Sequence, residues 1–328
     1  MSLVFKPFSV KSVIYVYKNM ISPLPITILG GYLGAGKTTL LNYIIRHTDR
    51  RLAIIVNDFG DINIDADLIE SQDGDTINLA NGCICCSLVD GFTLALLNLQ
   101  KREIQPEHVI VEASGVADPY QLGQQGRIPG FRLDGVIVLA DAETIRKKTK
   151  DKYVGETVTR QLRGADLLIL NKIDLLDEED REPLRAWSQN LVPNARIITA
   201  SHGVVPLPLL LGIDADPDKF SSNMPHTHHH DQEYDSWSYT SETPLDGEKF
   251  RETVKSLPDE ILRAKGILYL QENPEKKHIF QLVGKRWSIE SGEAWADEPR
   301  VTKLVMIGLV GSIDEKNIET SLQMASGN

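Results

Sequence analysis

The fold of this chain is decided by the eight residues Gly31-Tyr-Leu-Gly-Ala-Gly-Lys-Thr38, which fit the spacing G-x-x-x-x-G-K-[ST]. The apolar run at 26–29 precedes them and predicts a buried strand. Apolar residues recur at helical spacing over 38–47 and predict the following helix. This order predicts a loop whose backbone N–H groups cradle phosphates at a helix N-terminus. An ordinary glycine-rich turn is the alternative, and the Lys-Thr pair argues against it.

The residues of this loop have separate expected roles in binding a nucleoside triphosphate. Glycine at positions 31, 34 and 36 lets the backbone approach phosphate oxygens closely. We expect Lys37 to reach the β- and γ-phosphates, and the Thr38 hydroxyl to bind Mg²⁺. The loop residues expected to contact the nucleotide are Gly31, Gly34, Ala35, Gly36, Lys37, Thr38 and Thr39.

A second motif predicts which base is bound. Asn171-Lys-Ile-Asp174 directly follows the apolar run 167–170, which predicts another buried strand. A carboxylate at Asp174 can accept hydrogen bonds from both N1–H and the exocyclic amine of guanine, a donor pair that adenine lacks. A buried carboxylate without those donors would strongly disfavour adenine. We therefore expect GTP, bound through Asn171, Lys172 and Asp174; the alternative is that Asp174 only caps a helix.

An acidic residue ends a third predicted strand. The apolar run 108–111 leads into Glu112-Ala-Ser-Gly115, and open α/β sheets bind ligands at the carboxyl ends of their strands. We expect Glu112 to hold Mg²⁺ directly or through water, and Gly115 to offer its N–H to the γ-phosphate. Lys37, Thr38 and Glu112 are thus the predicted catalytic residues. The alternative is a solvated Glu112, with Ser114 capping a helix.

All three cysteines of the chain lie within four positions, as Cys83-Ile-Cys-Cys86. This clustering is not typical of a disulfide-stabilised secreted domain. Thiolates are soft ligands for Zn²⁺, Co²⁺ or Cu⁺, and three from one turn can occupy one face of a tetrahedron. We predict a transition-metal site at Cys83, Cys85 and Cys86, with a fourth position open to water, another side chain or a ligand of a client protein. The alternative is a group of buried cysteines that pack below a loop.

The segment His226-Thr-His-His-His230 is a second candidate metal site. Imidazole binds Zn²⁺, Ni²⁺ and Co²⁺, and flexible histidine tracts collect metal ions. The surrounding residues 214–238 are rich in Asp, Pro, Ser and His, a composition typical of a linker. The histidines are therefore either a weak metal-collecting tract or part of a solvated linker; they are His226, His228, His229 and His230.

These motifs, in this order, resemble the CobW family, a branch of the SIMIBI class of P-loop GTPases. Besides the phosphate loop, the resemblance rests on Val56-Asn-Asp-Phe-Gly60, Asn81-Gly-Cys-Ile-Cys-Cys86, Glu112-Ala-Ser-Gly115 and Asn171-Lys-Ile-Asp174. It implies kinship with zinc metallochaperones, cobalamin-biosynthesis proteins and activators of nitrile hydratase. One departure is Asp58, where such proteins usually have Glu; the carboxylate is kept on a stem one methylene shorter.

Global composition indicates a soluble globular protein. The chain has 328 residues, of which 41% are hydrophobic and 25% charged, enough for two domains. Its net charge of −11 disfavours a nucleic acid or an anionic membrane as partner. No apolar stretch reaches membrane-spanning length. We expect a cytoplasmic protein, whose assembly into a homo-oligomer is left open.

Strand and helix patterns alternate through the first two thirds of the chain. Strands are predicted at 26–29, 52–56, 108–111, 135–140, 167–170 and 195–199, and helices at 38–47, 88–100 and 178–191. This predicts the α/β fold of a P-loop NTPase, a mostly parallel sheet with helices on both faces. Apolar runs at 266–270, 278–283 and 303–308, with a helix at 249–257, predict a small α+β C-terminal domain. The expected organisation is an extension (1–22), a GTPase domain (23–213), a histidine-containing linker (214–236) and a CobW C-terminal-like domain (237–328).

The combined motifs predict a GTPase that binds a metal and delivers it to a metalloprotein client. The cysteines lie between the phosphate loop and Glu112, so they can belong to a switch segment that the γ-phosphate orders. Zinc is favoured because three thiolates and a histidine tract suit it, although cobalt obeys similar ligand rules. No arginine finger is identifiable from the sequence, so slow hydrolysis without a partner is expected. The alternatives are a cobalt-handling protein of cobalamin synthesis, an activator of one metalloenzyme, a GTP-regulated metal store, and a GTPase with structural cysteines.

Overall fold

The computed structural model describes residues 23–57, 76–78, 87–102, 104–125, 128–212 and 234–326. Several residues singled out above lie outside these ranges, as does the extension 1–22: they are Asp58, Cys83, Cys85, Cys86, His226, His228, His229 and His230. In the described part of the chain, no helix is long and apolar enough to cross a membrane.

Seven strands form the first sheet, in the order β3-β2-β4-β1-β5-β6-β7. They are β1 (Leu24–Gly31), β2 (Leu52–Asn57), β3 (Thr76–Asn78), β4 (His108–Ala113), β5 (Phe131–Asp141), β6 (Leu167–Asn171) and β7 (Arg196–Ala200). All neighbouring pairs are parallel, which confirms the predicted fold class. The sequence patterns missed only β3, because a three-residue strand is too short to show a period.

Helices cover both faces of this sheet. They are α1 (Lys37–His47), α2 (Ser87–Gln100), α3 (Pro119–Gln125), α4 (Ile145–Lys148), α5 (Gly155–Arg163), α6 (Glu178–Leu191) and α7 (Leu207–Leu211). Apolar residues of α2, α5 and α6 pack on one face in one buried cluster. Those of α1 and α7 pack on the other face. The strands are therefore buried on both sides, which explains their continuous apolar runs.

A second, antiparallel sheet has the strand order β11-β10-β9-β12-β8. Its elements are β8 (Tyr234–Ser241), α8 (Gly247–Lys255), β9 (Ile261–Tyr269), β10 (Lys276–Val283), β11 (Arg286–Ala294), β12 (Thr302–Leu309) and α9 (Glu315–Ala325). Helices α8 and α9 pack with the sheet around Phe250, Phe280 and Leu322. The predicted α+β architecture is thus present, and its first strand begins three residues earlier than the predicted start of the C-terminal domain.

The two sheets share one apolar cluster and several ion pairs. Leu262, Val305 and Ile307 of the second sheet pack with α1 and α7 of the first unit. Around this contact, Arg263 pairs with Asp134, and the Arg286 guanidinium contacts both carboxylate oxygens of Asp166 at 2.9 and 3.0 Å. The second sheet thereby covers the face of the parallel sheet on which α1 lies.

Candidate nucleotide-binding site

The predicted phosphate loop connects the end of β1 to the start of α1. Gly36, immediately before the helix, has φ 101°, and a Cβ there would collide with the side-chain amide of Asn171. Only glycine therefore fits this position. The buried Lys37 ammonium donates a hydrogen bond to the Gly31 carbonyl at 3.0 Å. Its charge thus lies across the mouth of the loop, where a phosphate can take the place of the carbonyl.

Glu112 lies beside this loop at the carboxyl end of β4. It is level with Leu29 on β1 and with Val56 on β2, and only 2% of it is exposed. Thr38, half-buried, opens α1 on the adjacent strand-to-helix connection. Hydroxyl and carboxylate oxygens are hard donors of the kind that Mg²⁺ requires. The chemistry of Thr38 and Glu112 therefore fits the magnesium ion that a GTP site needs.

The loop after Glu112 is held in place by a buried glutamine. Gln161 of α5 donates hydrogen bonds from Nε2 to the carbonyls of Gly115, at 3.0 Å, and Ala117, at 2.8 Å. Gly115 in turn lies against the phosphate loop, because a Cβ on it would lie 3.2 Å from the backbone nitrogen of Leu33. The loop expected to contact the γ-phosphate is thus adjacent to the phosphate loop. Sequence reasoning missed Gln161, since nothing near it in the chain marks a long-range contact.

At the other end of the site, Asn171 joins two loops. Its Nδ2 donates to the Ala35 carbonyl at 2.9 Å, and its Oδ1 accepts from the Gly203 N–H at 2.9 Å. The amide nitrogen and the amide oxygen of this buried side chain therefore both bond backbone groups. Asn171 thereby fixes the phosphate loop against the loop after β7.

The residues that follow Asn171 present two charged groups. Asp174 lies in the 3-10 turn Ile173–Leu175, with about one third of its side chain exposed and its Oδ2 3.8 Å from Nε2 of His202. Lys172 has φ 63° and donates from Nζ to Oδ2 of Asp141 at 2.7 Å. Burial would raise the pKa of Asp141, but the hydrogen bonds from Lys172 and Thr144 outweigh it and lower the pKa. Asp174 stays open to a ligand, while Asp141 anchors Lys172.

The structure thus brings Lys37, Glu112 and Asn171 to one edge of the sheet, as expected of strands that end together. Asp141 and His202 belong to the same edge but were missed. Asp141 is the last residue of β5 and His202 lies two residues after β7, and these positions at strand ends were the available signal. Among the described residues, no group of His, Cys, Asp or Glu has the arrangement of a transition-metal site. The cysteine and histidine predictions fall outside those residues.

Two family descriptions match the chain. Residues 25–199 match "CobW/HypB/UreG, nucleotide-binding domain", and residues 234–326 match "Cobalamin synthesis protein cobW C-terminal domain". The chain belongs to the CobW family. The two matches coincide with the two sheets of the structure, so the CobW resemblance extends over both.

Several CobW-family relatives have names that state an activity. The zinc chaperone CobW of Pseudomonas aeruginosa is 32% identical, over 93% of this chain and 92% of that protein. The zinc chaperone YjiA of Escherichia coli is 31% identical, over 88% of this chain and 95% of its own length. A solved structure of the Zn(II)-bound YjiA GTPase aligns with 93% of this chain and 99% of that chain, at 26% identity and a TM-score of 0.45.

Proposed function

We propose that this chain is a GTP-hydrolysing zinc metallochaperone that delivers zinc to a metalloprotein client in the cytoplasm. The observation that carries the proposal is the joined site at the carboxyl edge of the sheet, where Asn171 holds both the phosphate loop and the loop after β7. A base and a triphosphate bound there would occupy one continuous site. The names of the relatives, together with Cys83-Ile-Cys-Cys86, support zinc as the cargo.

The geometry of the described residues supports GTP binding. Lys37 would exchange the Gly31 carbonyl for the β- and γ-phosphates, and the partly exposed Asp174 would accept the two donors of guanine. Thr38 and Glu112 would hold Mg²⁺, which neutralises phosphate charge when bound. Gln161 keeps Gly115 beside the phosphate loop, so the backbone N–H of Gly115 would be able to bond the γ-phosphate when GTP is bound.

The position of the cysteines in the chain supports coupling between nucleotide and metal. Strand β2 pairs with β4 so that Val56 is level with Glu112, and β3 pairs with β2 so that Asn78 is level with Val56. The cysteines follow β3 in the chain, and α2 begins after them at Ser87. A segment that starts from this edge of the sheet and ends at a core helix can respond to the γ-phosphate. We therefore propose that GTP binding and thiolate binding of zinc are linked, and that hydrolysis releases the metal.

Zinc release during hydrolysis tests this proposal. The full chain, loaded with one equivalent of zinc, is mixed with GTP, GDP or a non-hydrolysable GTP analogue in the presence of a chromogenic zinc chelator. Of the three nucleotides, we expect only GTP to speed zinc transfer to the chelator, by about tenfold or more. This corresponds to a change of about 1.4 kcal/mol in the activation free energy of transfer. The variant with Cys83, Cys85 and Cys86 changed to Ser should still hydrolyse GTP but carry no zinc.

The outcomes separate the alternatives. Zinc transfer at one rate with all three nucleotides would indicate a metal store. Zinc binding by the triple Ser variant would place the metal elsewhere. Failure of the wild-type chain to hydrolyse GTP would refute the proposal that it is a GTPase.

A further inference from the structure

A basic segment follows β5 at the nucleotide edge of the sheet. Over 146–152 the chain places a cluster of cations, although its net charge is −11: Arg146, Lys147, Lys148, Lys150 and Lys152. Ile145, at the start of α4, is 2% exposed and anchors the segment to the core. The backbone N–H of Thr149 bonds the Ile145 carbonyl at 3.0 Å and closes the short helix. The cations are therefore attached to the framework and not to a long loop.

One of these residues contacts the phosphate loop. Lys148 donates from Nζ to the Leu33 carbonyl at 3.3 Å, and its ammonium lies 5.4 Å from the centre of the Tyr32 ring. Tyr32 packs against the core below. Both contacts belong to the arc between Gly31 and Gly36 that wraps the phosphates, so the charge of Lys148 is held at the rim of the phosphate site.

Leu33 lies at the end of that arc where the γ-phosphate is expected. Its backbone nitrogen lies next to Gly115, close enough that a Cβ on Gly115 would be 3.2 Å away. Gly115 belongs to the loop after Glu112, whereas Ala35, further along the arc, lies beside Asn171 and the base-binding end. Lys148 therefore reaches the end of the site where the transferred phosphoryl group would lie.

We propose that Lys148 is a catalytic residue of GTP hydrolysis, supplying from within the chain the cation that stabilises the transition state. The inference rests on the proposed GTPase function. The ammonium would leave the Leu33 carbonyl for the γ-phosphoryl oxygens and the β–γ bridging oxygen. An arginine that stabilises the transition state in other GTPases accelerates hydrolysis by about 10³–10⁵-fold, and a lysine, which cannot bind two oxygens in a planar fork, should contribute less.

The reaction balances without a proton from Lys148. The oxygen of a water molecule forms a bond to the γ-phosphorus, and the bond from that phosphorus to the bridging oxygen breaks. The electron pair of the broken bond stays on GDP, and the water's proton passes to solvent or the released phosphate. The ammonium of Lys148 offsets the charge that develops on the bridging oxygen.

The test compares Lys148→Gln with Lys147→Gln, a neighbouring substitution with the same change of charge. Three quantities are measured on the full chain with Mg²⁺: the single-turnover rate of GTP hydrolysis, the Kd for GDP, and the Kd for GDP with aluminium fluoride, which imitates the transferred phosphoryl group. We expect Lys148→Gln to lower the hydrolysis rate and the aluminium fluoride affinity by about 30-fold or more, with GDP affinity within about threefold of wild type. Lys147→Gln should leave all three within about twofold, and Lys148→Arg should retain most of the rate.

Two results would overturn the inference while the GTPase proposal stands. One is hydrolysis by Lys148→Gln at the wild-type rate. The other is a loss of GDP affinity as large as the loss of hydrolysis rate, because that would show that Lys148 only stabilises the conformation of the phosphate loop. A wild-type chain that does not hydrolyse GTP would overturn the proposed function itself, and the inference with it.

Discussion

Strands β1, β4 and β5 carry polar groups of the candidate nucleotide site at their carboxyl ends, whereas the same three strands bury polar groups along their amino halves. There, the Thr27 hydroxyl bonds Nε2 of His108 at 2.8 Å and the Leu210 carbonyl at 3.1 Å. Asp134 is the unmatched residue in the pairing of β1 with β5, where Ile26 pairs with Leu133 and Thr27 with Gly135. Such a bulge re-aims a side chain.

Arg263 of the second sheet completes this buried cluster. It pairs with Asp134 and donates to the Leu209 carbonyl at 2.6 Å. Burial would raise the pKa of Asp134, but the nearby charges, Arg263 foremost, outweigh it and hold the pKa well below its usual range. Substitutions at the two ends of the strands should therefore have opposite signatures. Substitutions at the carboxyl edge should lower nucleotide affinity with little change in stability. Substitutions in the buried cluster should lower stability with little change in nucleotide affinity.

The largest effect is expected for Arg263→Met. It leaves the Asp134 carboxylate buried and without its main partner, which should lower the free energy of unfolding by about 3–5 kcal/mol. Denaturant unfolding measures this loss. The control is Arg300→Met, which removes an exposed ion pair with Glu275 and should cost at most about 1 kcal/mol. Equal losses in both variants would show that the buried pair of Arg263 and Asp134 stabilises the fold no more than an exposed ion pair does.

Lys37→Ala should give the opposite signature. We expect the affinity for GTP or its rate of hydrolysis to fall by about 100–1000-fold, because the charge facing the phosphates is lost. The melting temperature should fall less than in Arg263→Met, since the ammonium contacts the backbone of the loop at the Gly31 carbonyl. Calorimetric titration with a GTP analogue measures the loss of affinity, and a thermal melt measures the melting temperature. A variant that binds the analogue normally would contradict the placement of the phosphates.

Asp174→Asn should change base selectivity. An amide in place of the carboxylate leaves one guanine donor without an acceptor, so GTP affinity should fall by about 10–100-fold. Xanthosine triphosphate, which carries a carbonyl in place of the exocyclic amine, should bind the variant better than GTP. Competition against a fluorescent nucleotide gives the ratio. If wild type and variant discriminate GTP from ATP equally, Asp174 does not contact the base.

The smallest effect concerns pH and His108. Burial lowers the pKa of His108 from its ordinary 6.5 to about 3, and Nδ1 is a buried atom without a hydrogen-bond partner in the described part of the chain. Because the folded pKa is depressed, its contribution to stability is complete above pH 6.5 and is lost as the pH falls towards the folded pKa, at about 1.4 kcal/mol per unit.

Unfolding curves of wild type and His108→Gln between about pH 7 and 5 isolate the contribution of His108, because the two chains differ only at that position. The wild type should lose more stability than the variant over that range. Parallel pH profiles would show that His108 is protonated to the same extent in the folded and unfolded chains.

The sequence predicted the carboxyl edge of the sheet but not the buried cluster around Asp134. The carboxyl edge was foreseen because its chemistry lies in short motifs, such as the phosphate loop and Asn171-Lys-Ile-Asp174, whose spacing fixes local geometry. The buried cluster was not, because Arg263 and Asp134 lie 129 residues apart and meet only through a bulge that no periodicity signals. Lys148 and Gln161 were missed for a similar reason, since each reaches its loop from a helix on another strand connection.

Zinc affinity in the two nucleotide states tests the central claim most directly. The full chain would be titrated with Zn²⁺ against a competing chelator, once with GDP and once with a non-hydrolysable GTP analogue, beside the variant with Cys83, Cys85 and Cys86 changed to Ser. A nucleotide-linked zinc carrier predicts at least a tenfold difference in zinc affinity, about 1.4 kcal/mol of coupling, that the Ser variant abolishes. Identical zinc affinities with both nucleotides would contradict the coupling and leave a GTPase whose metal is structural or stored.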